Sequence, residues 1–256
     1  MPDDPILPAG SALARFDEID STNSEALRRA PQEGPLWVWA RVQTKGRGRQ
    51  GRVWASGRGN LYASLLLPVD FEPALTPQVS FVAALAVHDT AAQLLGKGDP
   101  SDRLKLKWPN DVLLGGAKIA GILLEGASSG AARGAVAIGC GINLAHHPEL
   151  DERKATSLGA YGCEVEAGAA LSVLAAAMQA RLGQWRGGAG FAAIRADWLA
   201  RVGGLGERVE IRLPNERRSG IFATIDSGGA LILRLDDGQE QRITAGDVFT
   251  LGHDRV

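Results

Sequence analysis

Apolar residues in the first part of the chain come in short runs punctuated by glycine, proline and charge, a pattern of buried strands with a few helices between them. PLWVWARVQT at 35–44, NLYASLLLPVD at 60–70 and AVAIGCGINL at 135–144 read as strands, and LKLKW at 104–108 as a short one that Pro109 ends. VLL and KIAGILLE flank Gly115-Gly116, a pair suited to a two-residue hairpin turn. With that hairpin counted as one unit, five β segments precede residue 145. Parity along KIAGILLE groups Lys118 with Ala120, Ile122 and Leu124, which predicts a lysine emerging on an apolar face.

A first helix is expected in DSTNSEALRRA, where Thr22 and Glu25 stand at capping-box spacing ahead of Ala26 and Leu27. Thr76-Pro77 opens a second, running to Leu95 with proline at the favoured first position. An Ala-rich helical stretch covers 166–202 and stops at Gly203-Gly204 and Gly206. Beyond it RVEIRL, SGIFATID, ALILRLDDG and QEQRITAGDVFTL read as four short strands with no helix between them, a shift that marks a small β-barrel module.

At 256 residues and 45% hydrophobic, the chain suits one large domain, or one with a small module attached. Lys and Arg number 28 against 29 Asp and Glu, so no overall basic field points to a general nucleic-acid binder. MPDDPILPAG lacks a basic-then-apolar leader, and no apolar run approaches the roughly 20 residues of a membrane span, so a cytoplasmic location is expected. Cys140 and Cys163 form no Cys-x-x-Cys pair and are expected to be reduced, structural thiols.

Against that neutral background, TKGRGRQGRVWAS at 44–56 concentrates Lys45, Arg47, Arg49 and Arg52 among Gly46, Gly48 and Gly51. The run matches G-x-G-x-x-G, but the dinucleotide fingerprint needs a helix directly after its third glycine. Gly57 and Gly59 intervene, and the nine residues before the next strand leave no room for one. A solvated loop normally mixes charge signs, whereas no Asp or Glu occurs from Arg41 to Asn60. Flexible backbone with several guanidinium groups fits a carboxylate or phosphate ligand. KWPNDVLLGGAKIAGILLE adds Lys107, Asn110, Asp111 and Lys118 around one hairpin, a set suited to phosphate and Mg²⁺. His146-His147 lacks further ligands and reads as part of a mobile loop after GINL, with no fixed metal site.

DSTN at 20–23, Gln43, GRGRQGRVW at 46–54, KWPND at 107–111, KIAGILLE at 118–125 and GCGINL at 139–144 together resemble the biotin–protein ligases, in the same order and over nearly the whole chain. The resemblance implies an α/β (α+β) catalytic domain, residues 1–203, with a mixed, mostly antiparallel sheet and helices packed on one side. An SH3-like β-barrel, residues 204–256, would follow. It implies an enzyme that joins biotin to AMP from ATP with release of pyrophosphate. The biotinyl group would then pass to one lysine of a biotin carboxyl carrier domain, such as that of acetyl-CoA carboxylase.

Carried over by motif, Ser21, Thr22 and Asn23 form a polar shelf for the biotin ureido ring, with Gln43 beside it. Arg47, Gly48 and Arg49 belong to the loop that closes over biotin and the adenylate, and Lys118 lies by the biotin carboxylate. Asp111 falls near the attacking amine and the Mg²⁺ that accompanies ATP. Lys107, Asn110, Trp54 and Asn143 fall around the phosphates and adenine. Lys118, Arg49 and Asp111 are the expected catalytic residues. Gln50 stands where an arginine is common, leaving the loop one charge lighter. Fewer than 20 residues precede the DSTN motif, too few for the helix-turn-helix of repressor relatives, so no DNA and no membrane partner is expected, and the chain is taken as a monomer or weak homodimer. A lipoate or octanoate ligase and a non-catalytic anion- or RNA-binding module stay open as alternatives.

Overall fold

The computed structural model describes residues 4–30, 33–98, 103–127, 134–149, 154–213 and 215–250. Strands β1 (Ala12–Ile19), β2 (Leu36–Gln43), β3 (Leu61–Pro68), β4 (Leu104–Lys107), β5 (Asp111–Leu114), β6 (Ala117–Ala127) and β7 (Ala135–Ile142) form one sheet in the order β1-β2-β3-β7-β6-β5-β4. The β1–β2 pair is parallel and the other neighbours are antiparallel, giving the mixed sheet that was expected. β1 lies outside the five anticipated segments. It is an edge strand whose only buried residue is Ala14, so it shows little alternation to read.

Period-two alternation divides the sheet between two tasks. On one face Trp37, Trp39, Leu61, Ala63, Leu65, Val136, Ile138, Cys140 and Ile142 join the main core. That face packs under α2 (Thr76–Leu95) and the helices that follow it. On the opposite face the short helix α1 (Thr22–Arg28) covers Ala14, Val38, Leu66 and Ala137 through Ala26, leaving the rest of that face open for a site.

Three local expectations change. Ser21, not Thr22, caps α1: its backbone is extended at φ −160° and its hydroxyl accepts from Ser24 N at 3.4 Å. Thr22 is thereby one residue inside the helix, with its hydroxyl free to face Gln43. The helical stretch 166–202 is broken into α3 (Ala167–Trp185) and α4 (Phe191–Leu199), because Arg186 and Gly187 turn the chain at φ 48° and 62°. Arg181 then ties the helices together, donating to Asp89 on α2 and Asp197 on α4, each at 2.6 Å. On β6 a register shift between Val112 and Leu113 of its partner strand breaks the parity, so Lys118 shares the open face with Gly121 instead of the apolar face of Ala120 and Ile122.

The small module has five strands where four were anticipated, because QEQRITAGDVFTL splits at Gly246, and its last residue, Leu251, lies outside the described residues. β8 (Arg208–Arg212), β9 (Arg217–Ile225), β10 (Leu231–Arg234), β11 (Glu240–Ile243) and β12 (Asp247–Thr250) make an antiparallel sheet in the order β11-β10-β9-β8-β12, consistent with an SH3-like barrel. Val209, Ile211, Phe222, Leu231 and Leu233 extend the main core into it. Trp108 Nε1 donating to Gly229 O at 3.3 Å and Arg195 Nε donating to Ile225 O at 2.6 Å fasten it to the larger unit.

Candidate active site

A cavity of about 530 Å³ opens on the sheet face that α1 only partly covers, within the size range of small-molecule sites. Its floor is main chain. Gly121 pairs with Gly141 and Leu123 with Gly139 across β6 and β7. A Cβ at Gly141 would fall 2.6 Å from the Trp54 indole, and one at Gly139 would fall 2.5 Å from Asn23 Oδ1. The GCG of GCGINL thus has a steric cause: side chains from two other segments lie directly on the strand.

At one end lies a polar shelf. Thr22 N and Oγ1 both donate to Gln43 Oε1, at 2.9 and 3.1 Å. Ser64 Oγ lies 2.7 Å from Thr22 Oγ1 and 2.6 Å from Asn23 Oδ1. Gln43 Nε2 donates to Ser56 Oγ at 3.0 Å, and Ser56 in turn donates to Trp54 O at 2.9 Å. Ser21, Thr22 and Asn23 are all buried. Asp20, the remaining residue of DSTN, accepts from Ser21 N and from both terminal nitrogens of Arg28. The Arg28 hydrogen bonds hold its pKa down at about 2, so it anchors α1 and takes no part in the cavity.

The glycine–arginine run is a tight reverse turn over this face. Trp54 N donates to Gly46 O at 3.0 Å and Gly48 N to Arg52 O at 2.7 Å, with Gln50 in the left-handed region at φ 57°. Each arginine is aimed separately. Arg47 donates to Ser24 Oγ and to Glu125, while Arg49 reaches Asn110 Oδ1 and Gly246 O, both at 3.3 Å. Arg52 pairs with Asp247 of β12, which therefore brings the small module into the cavity wall.

At the other end the Lys118 ammonium lies 2.6 Å from Asp111 Oδ1 and 5.1 Å from the centre of the Trp54 ring. Asn110 Nδ2 donates to Ile122 O, and Asn143 Nδ2 donates to Thr156 O at 3.0 Å, holding neighbouring segments in register. Arg47, Arg49, Arg52 and Lys118 face Asp111 and Asp247 among the lining residues, so the cavity is net cationic and suited to anions.

Of the residues nominated from sequence, Ser21, Thr22, Asn23, Gln43, Arg47, Gly48, Arg49, Trp54, Asn110, Asp111, Lys118 and Asn143 line this one cavity. Lys107 does not: its ammonium lies 4.8 Å over the Phe249 ring, at the junction with β12. Asn60 Nδ2 donates to His146 O, and Asn60 Oδ1 accepts from Leu144, Ala145 and His146 N. Among the described residues no cluster of three or more His, Cys, Asp or Glu is placed to hold a metal. Sequence reasoning passed over Tyr62, Asp247 and the carboxylate of Glu125, and noted Arg52 within the basic run without assigning it a role in the site. Tyr62 donates to Gly57 O at 2.9 Å and is pushed by burial to a pKa of about 12, so it stays a donor at neutral pH.

The sequence profile of the biotin/lipoate A/B protein ligase family matches residues 13–143, and that of the biotin protein ligase C-terminal domain matches 204–251. The chain belongs to the biotin/lipoate A/B protein ligase family. It is 44% identical over 240 residues to the biotin–[acetyl-CoA-carboxylase] ligase of Paracoccus denitrificans, covering 90% of this chain and 97% of that protein. Identity to the enzyme of the same name from Mycobacterium tuberculosis is 36%, covering 97% and 93%. The biotin protein ligase of Aquifex aeolicus in complex with biotin and ATP superposes with a TM-score of 0.77 at 25% identity, covering 93% of this chain and 97% of that one. The Leishmania major enzyme in complex with biotinyl-5-AMP gives 0.64 at 25% identity, covering 93% and 100%. The fold expectation of the biotin ligase family therefore holds, including the module after the catalytic sheet.

Proposed function

We propose that this chain activates biotin with ATP and biotinylates a lysine of a biotin carboxyl carrier domain. The observation that carries the reading is the cavity's polarity along its length. A hydrogen-bonding shelf at Ser21–Asn23 and Gln43, with Arg47 held beside it by Ser24 and Glu125, faces a cationic end at Lys118 and Arg49. Biotin has the same polarity, a urea at one end and a carboxylate at the other.

In the first step a carboxylate oxygen attacks the α-phosphorus of ATP, a P–O bond forms, and the bond to pyrophosphate breaks. Two anions must approach, so Lys118 and Arg49 offset their repulsion and stabilise charge on the α-phosphoryl oxygens. In the second step the acceptor amine attacks the biotinyl carbonyl and AMP leaves with the phosphate; Asp111 is the carboxylate that receives the amine. Trp54, Asn110 and Asn143 flank the nucleotide. Mg²⁺ would arrive with ATP, since magnesium is commonly held by one or two carboxylates together with substrate phosphates. Asp111 is the ligand offered here. Residues 1–203 act as the catalytic unit and 204–256 as the module that presses Asp247 against the arginine turn.

The test is ATP-dependent pyrophosphate release with biotin, with lipoate or with no acid. Release with biotin alone supports the reading. Release with lipoate in preference would move the chain to the lipoate branch, and none with either acid would leave it a binding module.

A further inference from the structure

Glu125, near the end of β6, joins two parts of the site that lie far apart in sequence. Its Oε2 accepts from Asn23 Nδ2 at 2.8 Å, and both of its oxygens lie 3.1 Å from Arg47 Nη2. Asn23 Nδ2 also donates to Leu123 O at 3.1 Å. An ionised carboxylate and a main-chain carbonyl can only accept, so between them they take both hydrogens of the Asn23 amide and dictate which way it faces. Asn23 Oδ1 takes part in a 2.6 Å hydrogen bond with Ser64 and retains a lone pair. At Asn23 the shelf therefore offers an acceptor, and an acceptor is matched by an N–H on the ligand.

The same carboxylate orients Arg47, whose other terminal nitrogen donates to Ser24 Oγ at 3.0 Å. If Glu125 were neutral or absent, one Asn23 amide hydrogen would lose its acceptor, leaving Leu123 O alone to hold the amide's orientation, and Arg47 would lose its charged partner. Both changes would reach the ligand, although Glu125 itself is not among the residues lining the cavity.

We infer that Glu125 is a positioning residue that fixes the hydrogen-bond polarity of the shelf and couples it to Arg47. Head groups with N–H donors, such as a cyclic urea, are thereby selected over a dithiolane ring, which has none. This rests on the biotin-activating reading of the cavity.

Glu125→Gln preserves shape but removes the charge and one acceptor oxygen, so Asn23 and Arg47 cannot both be satisfied. With biotin, lipoate and ATP as probes in the pyrophosphate assay, KM for biotin should rise roughly tenfold, equivalent to ~1.4 kcal/mol. Preference for biotin over lipoate should fall by a similar factor, with kcat and KM for ATP changed by less than about twofold. Glu125→Asp keeps the charge at shorter reach and should fall between, and it carries the test if the Gln variant does not fold. In an Arg47→Ala background the effect of Glu125→Gln should shrink, because part of it acts through Arg47. An unchanged biotin KM and preference would overturn the inference. So would an equal loss of kcat for both acids with a lowered Tm, which is the mark of a purely structural role. Wild-type enzyme that releases no pyrophosphate with biotin would refute the underlying function instead, a different result from normal wild-type turnover with an indifferent variant.

Discussion

Lys118→Ala removes an ammonium held 2.6 Å from Asp111, on a side chain 21% exposed. An anionic oxygen about 4 Å from that ammonium interacts with it by ~4 kcal/mol at an effective dielectric near 20. Partial exposure lowers this to ~3 kcal/mol, a factor of about 10² in rate if the interaction is made chiefly in the transition state. The substitution also leaves the Asp111 carboxylate, 14% exposed, without its cation, and its repulsion of the incoming anions pushes the loss toward ~10³. On the proposed reading the arginine turn also holds ATP, so its Kd should weaken by no more than about fivefold. The assay is single-turnover formation of adenylate after rapid mixing, beside equilibrium ATP binding. Adenylation within about threefold of wild type, or an ATP Kd that worsens as much as the rate falls, would remove Lys118 from the chemistry.

Gly141→Ala places a methyl group 2.6 Å from the Trp54 indole, so the ring must move into the cavity; biotin affinity by calorimetry should fall at least about tenfold with little change in Tm. Arg49→Gly should form the adenylate more slowly and release it sooner, so bystander lysines on added albumin become labelled more than with wild type at equal pyrophosphate output; equal labelling would contradict a clamp. Asp20 is depressed from 3.8 to about 2 by Arg28, so its contribution to stability is complete above pH 4 and fades as pH falls toward 2. The Tm difference between wild type and Asp20→Asn should therefore narrow over that interval in acid melts, and a constant difference would count against it.

The arginine turn, the shelf and the Lys118 hairpin could be located in the sequence because each is a local pattern of glycine and polar residues. Their convergence could not, since it depends on the order β3-β7-β6, which brings residues 23, 47, 121 and 141 together across long separations. Lys118 was assigned to the wrong face because one extra residue on β6 shifts the register, and period-two reading has no sign of that in KIAGILLE. Glu125 was within reach: Gly121, Leu123 and Glu125 share parity beyond the shift. Asp247 was not, because nothing in AGDVFT signals a role some two hundred residues from the arginines it pairs with. Lys107 was grouped with Asp111, its cross-strand partner, but its ammonium turns to Phe249. The helix break at Arg186 escaped the composition, in which Gly187 and Gly188 looked like ordinary interruptions of an Ala-rich run.

The most direct test of the central claim is to incubate the purified chain with biotin and ATP, remove free ligand, and identify the retained small molecule by mass spectrometry before and after adding a biotin carboxyl carrier domain. The account predicts about one equivalent of biotinyl-5′-AMP held per chain, converted on addition of the carrier to AMP and a single biotinylated lysine. Retention of no adenylate, or a lipoyl adenylate formed in preference when both acids are present, would contradict it.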